Sequence, residues 1–377
     1  MKNFLLLGSL MLFVASCSTS SGTASTTSSD ATAPATTLPF LIGTYTAGSS
    51  EGIYAAEFDT TTGNFVNLRL AAYSMDPSFV VPSSDGKYVY GVNEQDGGSV
   101  SVFQWNDQGT LDLLETKGSA GIHPCHIAIN ANNSMISVAN YTSGDGALFP
   151  VEGGPLGEAV PYSHSGSGPN AQRQEGPHAH FNTFHAPSGR LYVVDLGTDE
   201  ILKYSPVPGQ SELTGTVAHK MEPGDGPRHL DFHPTQPWVF VVNELSNTIM
   251  SFRIDASGDF EPISRLSTLP DGFTDFSKAA DIHVSPDGRF VYSSNRGFHS
   301  LAIYQILEDG SLTFVGFESR GIDTPRNFAI TPDGSFILVA NQESDSIVAF
   351  RVDQSDGTLT PFGTPTTLSK PACLKFY

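Results

Sequence analysis

Apolar and polar residues alternate along most of the chain in short segments separated by turns, as at residues 99–103 and 347–350. Alternation with a period of two is typical of β-strands that bury one face. A turn followed by a large apolar residue recurs seven times, mostly about 45 to 52 residues apart, at Phe65, Leu111, Leu156, Leu213, Phe260, Leu312 and Leu359. A repeat of this length matches one four-stranded blade of a β-propeller.

A second repeated pattern predicts two further strands in each repeat. One strand begins with Pro or Ala, a short turn follows, and the next strand ends in Asn or Asp, most clearly at 325–330 and 336–341. The first of these strands begin at Pro77, Pro124, Pro177, Pro227, Ala280, Pro325 and Pro371, and the second end at Asn93, Asn140, Asp195, Asn243, Asn295 and Asn341.

The seventh repeat is incomplete, because the chain ends after a single strand at 371–377. Two segments near the start, 40–44 and 52–58, have the alternation that the missing strands need. Closing the last blade with strands from both termini removes exposed sheet edges. The sequence therefore predicts an all-β fold, a seven-bladed β-propeller over residues 39–377. An array of β-sandwiches is the alternative, but it does not explain why the broken repeat completes itself across the termini.

Residues 1–17 have the features of an export signal rather than of the fold. Lys2 precedes an apolar stretch, residues 4–14, that is too short for a permanent membrane span. The sequence Val-Ala-Ser-Cys ending at Cys17 resembles a bacterial lipobox, which predicts cleavage before Cys17 and a lipid on its sulfur. An ordinary signal with an incidental Cys is the alternative. Residues 18–38 are rich in Ser, Thr and Ala and predict a flexible linker.

We therefore expect a bacterial cell-envelope lipoprotein, periplasmic or on the outer surface, that touches the membrane only through the lipid on Cys17. The net charge of −20 argues against a nucleic-acid partner, because like charges repel. Cys125 and Cys373 fall on first strands of non-adjacent blades, which predicts free buried thiols. A closed propeller leaves no strand edge to pair, so we expect a monomer.

Candidate chemistry follows from the repeats, because the first strand of a blade lines the central channel. Its start and the end of the second strand lie on the same face. The strand-start ring is Ser78, Cys125, His180, Arg228, Ala280, Arg326 and Ala372, and the ring after the strand ends is Glu94, Tyr141, Leu196, Glu244, Arg296 and Gln342. Three arginines of these rings in an acidic protein indicate a site for an anionic ligand. Two long insertions, 163–177 with Arg173 and 269–278, are expected to lie over it.

Five segments then carry a resemblance to a known family: 174–180 (QEGPHAH), 226–229 (GPRH), 242–245 (VNEL), 279–283 (AADIH) and 294–296 (SNR). They resemble the lactonase family of seven-bladed propellers, which includes propeller-type bacterial 6-phosphogluconolactonases and the fungal carboxymuconate lactonizing enzyme. The resemblance covers nearly all of 40–377. It implies that His180, Arg228, Glu244 and Arg296 are the functional residues, the same four that the rings indicate.

Opening or closing a lactone beside an anionic group would divide the work among these four residues. His180 would act as general base toward water, and Glu244 would orient that histidine or handle the second proton. Arg228 and Arg296 would anchor the anion and stabilise the oxyanion at the carbonyl. Further candidate substrate ligands are Arg326, Asp281, Arg173 and His178. The alternative for each is a structural role in an ion-pair network or as a hydrogen-bonding residue at a strand end.

No cofactor is implied, and no metal, because the histidines are scattered and His-Ala-His alone is a weak ligand pattern. We expect a lactonase acting on a small anionic or sugar-like lactone. Phosphorylated sugar lactones belong to cytoplasmic metabolism, so export favours an unphosphorylated aldonolactone or a plant-derived lactone. A muconate-type lactonizing cycloisomerase and a non-catalytic binding propeller of the envelope remain the alternatives.

Overall fold

The computed structural model describes residue 1, residues 36–207 and residues 209–377. The signal segment with Cys17, and the linker up to residue 35, lie outside the described residues. Every regular element that is described is a β-strand, and the strands form seven four-stranded antiparallel sheets. The predicted seven-bladed all-β propeller is confirmed. No helix in the described residues is long and apolar enough to cross a membrane.

The described residues up to Lys220 form fifteen strands. They are β1 (Thr37–Thr44), β2 (Gly52–Asp59), β3 (Phe65–Tyr73), β4 (Val80–Pro82), β5 (Tyr88–Asn93), β6 (Ser99–Trp105), β7 (Leu111–Gly118), β8 (Pro124–Ile129), β9 (Met135–Asn140), β10 (Asp145–Pro150), β11 (Val160–Ser163), β12 (Ala179–His185), β13 (Arg190–Asp195), β14 (Glu200–Tyr204) and β15 (Thr216–Lys220).

The residues from Pro227 onward form thirteen strands. They are β16 (Pro227–Phe232), β17 (Trp238–Asn243), β18 (Thr248–Ile254), β19 (Phe260–Ser267), β20 (Lys278–Val284), β21 (Phe290–Arg296), β22 (Ser300–Ile306), β23 (Leu312–Glu318), β24 (Pro325–Ile330), β25 (Phe336–Asn341), β26 (Ser346–Val352), β27 (Leu359–Thr367) and β28 (Pro371–Phe376).

Blades 1 to 6 each use four consecutive strands, from β4–β7 in blade 1 to β24–β27 in blade 6. Blade 7 combines β28 with β1, β2 and β3, so both ends of the propeller domain close it. Ile42 pairs with Leu374 in this closure, and both side chains are buried against strands of blade 6. β1 begins at Thr37, which pairs with Asp59, so the propeller starts two residues inside the predicted linker.

The first strands of successive blades contact one another around a closed ring, and they therefore line the channel. The apolar residues that follow the repeated turns open the fourth strand in five blades, but not at Leu156 or Leu213. Leu156 forms only an isolated bridge with Val151, and β11 starts later, at Val160. Pro150 and Pro155 lie in this region and lack the N–H that a continuous ladder needs.

Neighbouring blades are joined by a repeated tyrosine contact as well as by apolar packing. The hydroxyls of Tyr90, Tyr192 and Tyr292 donate to the turn carbonyls of Gly154, Gly258 and Gly357 in the next blade, at 2.9, 2.9 and 3.0 Å. Each tyrosine lies on the second strand of its blade. Because these hydroxyls are buried, the contacts fix how one blade is oriented against the next.

Cys125 on β8 and Cys373 on β28 are both buried and form no disulfide. Blade 1 separates their strands. Burial raises the pKa of both thiols, so neither has the character of a reactive thiolate. The prediction of free buried thiols is confirmed.

Candidate active site

The channel-facing residues at one mouth are presented by β-bulges. In blades 3, 4 and 6 the register between the first two strands shifts by one residue, and the extra residue is His180, Arg228 or Arg326. Cys125 occupies the same position in blade 2. A bulge leaves its extra residue unpaired and turns its side chain out of the normal alternation. This local irregularity brings the strand-start ring together at the mouth.

Glu244 is the centre of the site, where three arginines surround its carboxylate. Arg173 Nη2 lies 2.6 Å from Oε1, while Arg296 Nη2 and Arg228 Nε lie 2.7 and 3.0 Å from Oε2. Only 2% of Glu244 and 1% of Arg228 are exposed. Arg296 Nε is buried and has no partner among the described residues, whereas Arg228 Nε is already in contact with Glu244 Oε2. The Arg296 Nε–H group therefore remains as a donor for a ligand.

The charges in this cluster fix the protonation state of Glu244. Burial alone would raise the pKa of Glu244, but Arg296, Arg228 and Arg173 hold it well below its usual range. Burial and the nearby Arg296 and Arg326 lower the pKa of Arg228 to about 9, which leaves it charged at neutral pH. A carboxylate held in this way is a poor proton carrier.

His180 is buried beside this cluster, and its Nδ1 has no hydrogen-bond partner among the described residues. Its ring packs edge-on against Tyr141 at 5.5 Å and lies 5.3 Å from the ring of His229. Burial, followed by the charge of Arg228, holds the pKa of His180 well below 6.5, so the imidazole is neutral. The structure records no hydrogen bond between His180 and Glu244, and it does not support the expectation that Glu244 orients this histidine or carries the second proton.

The opposite side of the mouth has a different network. Arg326 donates to the Tyr45 hydroxyl at 2.7 Å, Tyr45 donates to Glu94 Oε2 at 2.7 Å, and the Ser78 hydroxyl also donates to Glu94. The Arg326 guanidinium lies 5.2 Å from the centre of the Tyr45 ring, within cation–π range. Sequence reasoning missed Tyr45. It follows the end of β1 as Glu94 and Glu244 follow β5 and β17, but β1 ends in Thr44 rather than in Asn or Asp.

The insertion at 163–177 is fastened over the site by Gln174, which is fully buried. Its Nε2 donates to Leu196 O at 2.9 Å and to Asp199 Oδ1 at 2.7 Å. Asp199 also accepts the backbone N–H groups of Gly224 and Gly226, just before β16. Gln174 thus ties the loop to blades 3 and 4, and the adjacent Arg173 reaches Glu244 and the Tyr141 hydroxyl.

The insertion at 269–278 carries an exposed aromatic residue. Phe276 is 74% exposed, and Lys278 Nζ lies 5.5 Å from the centre of its ring. Lys278 adds to the positive charge near the site, and burial with Arg296 nearby lowers its pKa. The loop passes close to Gly297, where a Cβ would collide with the carbonyl oxygen of Phe276. Glycine at this position therefore permits the close approach.

Two of the predicted substrate ligands are already bonded to protein groups. His178 Nδ1 lies 2.9 Å from Tyr141 O, and its Nε2 lies 3.2 Å from Glu175 Oε1. Asp281 Oδ1 accepts from His229, and its Oδ2 accepts from His283 and Asn327. The structure therefore places Arg173, Arg326 and the four predicted catalytic residues at the mouth, and gives His178 and Asp281 supporting positions.

No group of three or more potential metal-ligating side chains occurs in the part of the chain that the structure describes. The polar groups at this mouth are guanidinium groups, carboxylates, a neutral imidazole and hydroxyls. Such a set binds negative charge and moves one proton.

Comparisons with known proteins agree with this geometry. A family model described as "Lactonase, 7-bladed beta-propeller" matches residues 39–376. The chain is 37% identical over 344 residues to a 6-phosphogluconolactonase of Bacillus subtilis, covering 89% of this chain and 97% of that one. It is 34% identical over 320 residues to a 6-phosphogluconolactonase of Formosa agariphila, covering 82% and 90%.

Among solved structures, a periplasmic gluconolactonase of Pseudomonas aeruginosa superposes with a TM-score of 0.85 at 29% identity, covering 90% of this chain and 99% of that one. The resemblance predicted from the five sequence segments is confirmed. This chain belongs to the lactonase family of seven-bladed β-propellers.

Proposed function

We propose that this protein is a lactonase that hydrolyses a gluconolactone-type sugar lactone at the mouth formed by blades 3 to 6. Relatives named 6-phosphogluconolactonase and a structural neighbour named gluconolactonase support the reaction class. The observation that carries the proposal is a neutral His180, whose Nδ1 has no partner among the described residues, buried beside Arg228 and beside Arg296, whose Nε–H also has no partner there.

The charge at the mouth suits an intermediate with a negatively charged oxygen. Four arginines, Arg173, Arg228, Arg296 and Arg326, lie there with two carboxylates, Glu244 and Glu94. The local excess is positive in a protein whose net charge is −20. Donors fixed in a buried site stabilise an oxyanion strongly, because they need no rearrangement during the reaction.

His180 supplies the proton transfer. The neutral imidazole accepts a proton from water as the water oxygen bonds to the lactone carbonyl carbon, and the carbonyl oxygen becomes an oxyanion beside Arg228 and Arg296. The bond between that carbon and the ring oxygen then breaks, and the imidazolium returns its proton to the leaving oxygen. The product is the open hydroxy acid. Glu244 holds the arginines in place and takes no proton.

The predicted export signal bears on the substrate. We propose that the chain is a cell-envelope lipoprotein anchored through Cys17 and that its substrate carries no phosphate. The structural neighbour from Pseudomonas aeruginosa is named a periplasmic gluconolactonase, which supports a lactonase of this fold working outside the cytoplasm. Labelling with a radioactive fatty acid, in wild type and in Cys17→Ser, tests the anchor: label that persists in the variant would contradict it.

Acid release measured in a pH-stat tests the reaction, with glucono-1,5-lactone, its 6-phosphate and several other lactones as substrates. We expect turnover of the unphosphorylated lactone that is lost in His180→Ala and in Arg228→Ala. Arg253→Ala is the matched control, because Arg253 lies on β18, the third strand of blade 4, and forms an exposed ion pair with Glu261. Turnover that survives His180→Ala would remove the base assignment. If no lactone is hydrolysed above the spontaneous rate, muconates become the next substrates to examine.

A further inference from the structure

Behind Arg228, a chain of buried hydrogen bonds continues into the channel wall. Arg228 Nη1 lies 3.1 Å from His229 Nε2 and donates to Ala280 O at 2.7 Å. His229 Nδ1 lies 2.7 Å from Asp281 Oδ1. All three side chains are nearly inaccessible to solvent, with exposures of 1%, 4% and 2%. This series of hydrogen bonds starts at Arg228 in the proposed site and ends at the Asp281 carboxylate, away from the site.

This geometry determines which nitrogen of His229 carries the hydrogen. A guanidinium only donates, so His229 Nε2 must accept from Arg228, and Nδ1 must carry the proton that it donates to Asp281. Burial and the charge of Arg228 lower the pKa of His229 to about 3, which keeps the ring neutral as this arrangement requires. Asp281 is itself fixed, because Oδ2 accepts from His283, Asn327 and the backbone N–H of Phe328.

We infer that His229 and Asp281 are positioning residues that fix the Arg228 guanidinium in the orientation the proposed lactonase reaction uses. This rests on the proposed function of Arg228. Without the two contacts of Nη1, the long Arg228 side chain would be held mainly by Glu244. With them, its orientation is set from two sides, by Glu244 at Nε and by His229 and Ala280 at Nη1.

A second buried histidine–carboxylate pair shows that such a motif need not serve an arginine. His164 Nδ1 lies 2.6 Å from Asp195 Oδ2, but its Nε2 faces the Tyr204 hydroxyl at 3.0 Å. Asp195 only accepts, so His164 also carries its hydrogen on Nδ1, and the Tyr204 hydroxyl then donates to Nε2. A hydroxyl can turn to suit either tautomer, whereas Arg228 can only donate, so the tautomer of His229 is fixed by both of its neighbours.

The variant Asp281→Asn tests the inference with nearly unchanged volume. Three donors converge on the Oδ2 position, so the amide oxygen of the new side chain belongs there and its NH2 group faces His229 Nδ1. His229 Nδ1 must then accept a hydrogen bond, so the ring hydrogen moves to Nε2. Nε2–H and Arg228 Nη1 are then both donors, and the hydrogen bond between them is lost. We expect kcat/KM to fall by roughly ten- to a hundredfold, with most of the loss in kcat.

The tautomer is read directly by nitrogen-15 NMR of the full chain with labelled histidine. The wild type should show His229 protonated at Nδ1, and Asp281→Asn should show it protonated at Nε2. This measurement needs no substrate, so it decides the inference even if the lactone panel shows no turnover. A wild-type His229 protonated at Nε2, or a tautomer unchanged by Asp281→Asn, overturns it.

A pair of substitutions at His229 separates positioning from simple packing. In His229→Gln the side-chain oxygen faces Arg228 and the NH2 group faces Asp281, whereas His229→Leu fills similar space with neither contact. We expect His229→Gln to keep kcat within about fivefold of wild type. The kcat of His229→Leu should be at least about tenfold lower than that of His229→Gln, which is the usual size of the effect when a supporting contact is removed. Equal activity in the two variants contradicts positioning. Ile337→Val in blade 6 controls for a general loss of stability, because Ile337 is buried in the apolar core.

Discussion

Glu244 and Glu94 occupy equivalent places in the repeat, directly after the second strands of blades 4 and 1, yet their surroundings differ. Glu244 is buried among three arginines. Glu94 is half-buried and accepts hydrogen bonds from the hydroxyls of Tyr45 and Ser78. The repeat therefore determines where a carboxylate lies, whereas the neighbouring blades and insertions determine what it does.

The difference arises from what stands beside each carboxylate. The insertion at 163–177 brings Arg173 to Glu244, and the bulge at the start of β16 brings Arg228. Near Glu94 the chain supplies one arginine, Arg326, which reaches it only through the Tyr45 hydroxyl. The half of the mouth around Glu244 is therefore an ion-pair cluster suited to binding a negatively charged group of a ligand. The half around Glu94 is a hydroxyl network suited to orienting neutral groups of a ligand.

The comparison predicts its largest effect for matched changes of the two carboxylates. Glu244→Gln leaves Arg228 and Arg296 buried with no opposing charge, and breaking a buried pair in this way costs about 3–5 kcal/mol. Glu94→Gln removes a half-buried carboxylate that pairs with no arginine directly, so we expect a loss below about 1 kcal/mol. Guanidinium unfolding curves of both variants measure the difference in the free energy of unfolding. Similar losses of unfolding free energy in the two variants would show that the position in the repeat, and not the neighbouring residues, determines the role of each carboxylate.

The sequence predicted the seven blades, the closure and the ring positions of His180, Arg228 and Arg326, because strand alternation and turn residues repeat with the blade. It did not reveal which groups pair across blades, since that depends on bulges that redirect single side chains. Asp281 was predicted as a substrate ligand from its place near the start of β20. There the bulge spans two residues, Ala280 and Asp281, and the carboxylate turns to His229.

A second prediction concerns Gln174, which holds the insertion at 163–177 in place and so brings Arg173 to Glu244. Gln174→Ala removes the donors to Leu196 O and Asp199 Oδ1, so buried acceptors lose a partner at a cost of about 1–3 kcal/mol. We also expect KM for the lactone to rise severalfold, because Arg173 would no longer be held at Glu244. Thermal unfolding and initial rates measure the two effects. Gln95→Ala is the matched control, because Gln95 lies on the Glu94 side and its side chain donates one long hydrogen bond, of 3.3 Å, to Asp76. A KM equal to that of wild type would show that the loop does not position Arg173.

A third prediction uses pH. Burial and Arg228 hold the folded-state pKa of His180 well below its unfolded value of 6.5, so the unfolded chain binds more protons in acid. The stability that neutral His180 contributes is present above pH 6.5 and is lost as pH falls toward its folded pKa, at no more than about 1.4 kcal/mol per pH unit. Unfolding at pH 7.5 and 5.5 should therefore show a larger acid loss for wild type than for His180→Gln. Equal losses would mean that His180 is not held neutral.

A small effect is also expected at the centre of the hydroxyl network. Tyr45→Phe keeps the ring against Arg326 but removes the oxygen that links Arg326 to Glu94. Glu94 keeps its bond from Ser78, and both charged groups are half-buried and accessible to water, so the loss in unfolding free energy should be about 0.5–1.5 kcal/mol. If this side of the mouth orients the substrate, KM should rise while kcat stays near wild type. An equal fall in kcat would instead give Tyr45 a direct part in the transition state, and the two halves of the mouth would then share the chemistry that we assign to His180 and the arginines around Glu244.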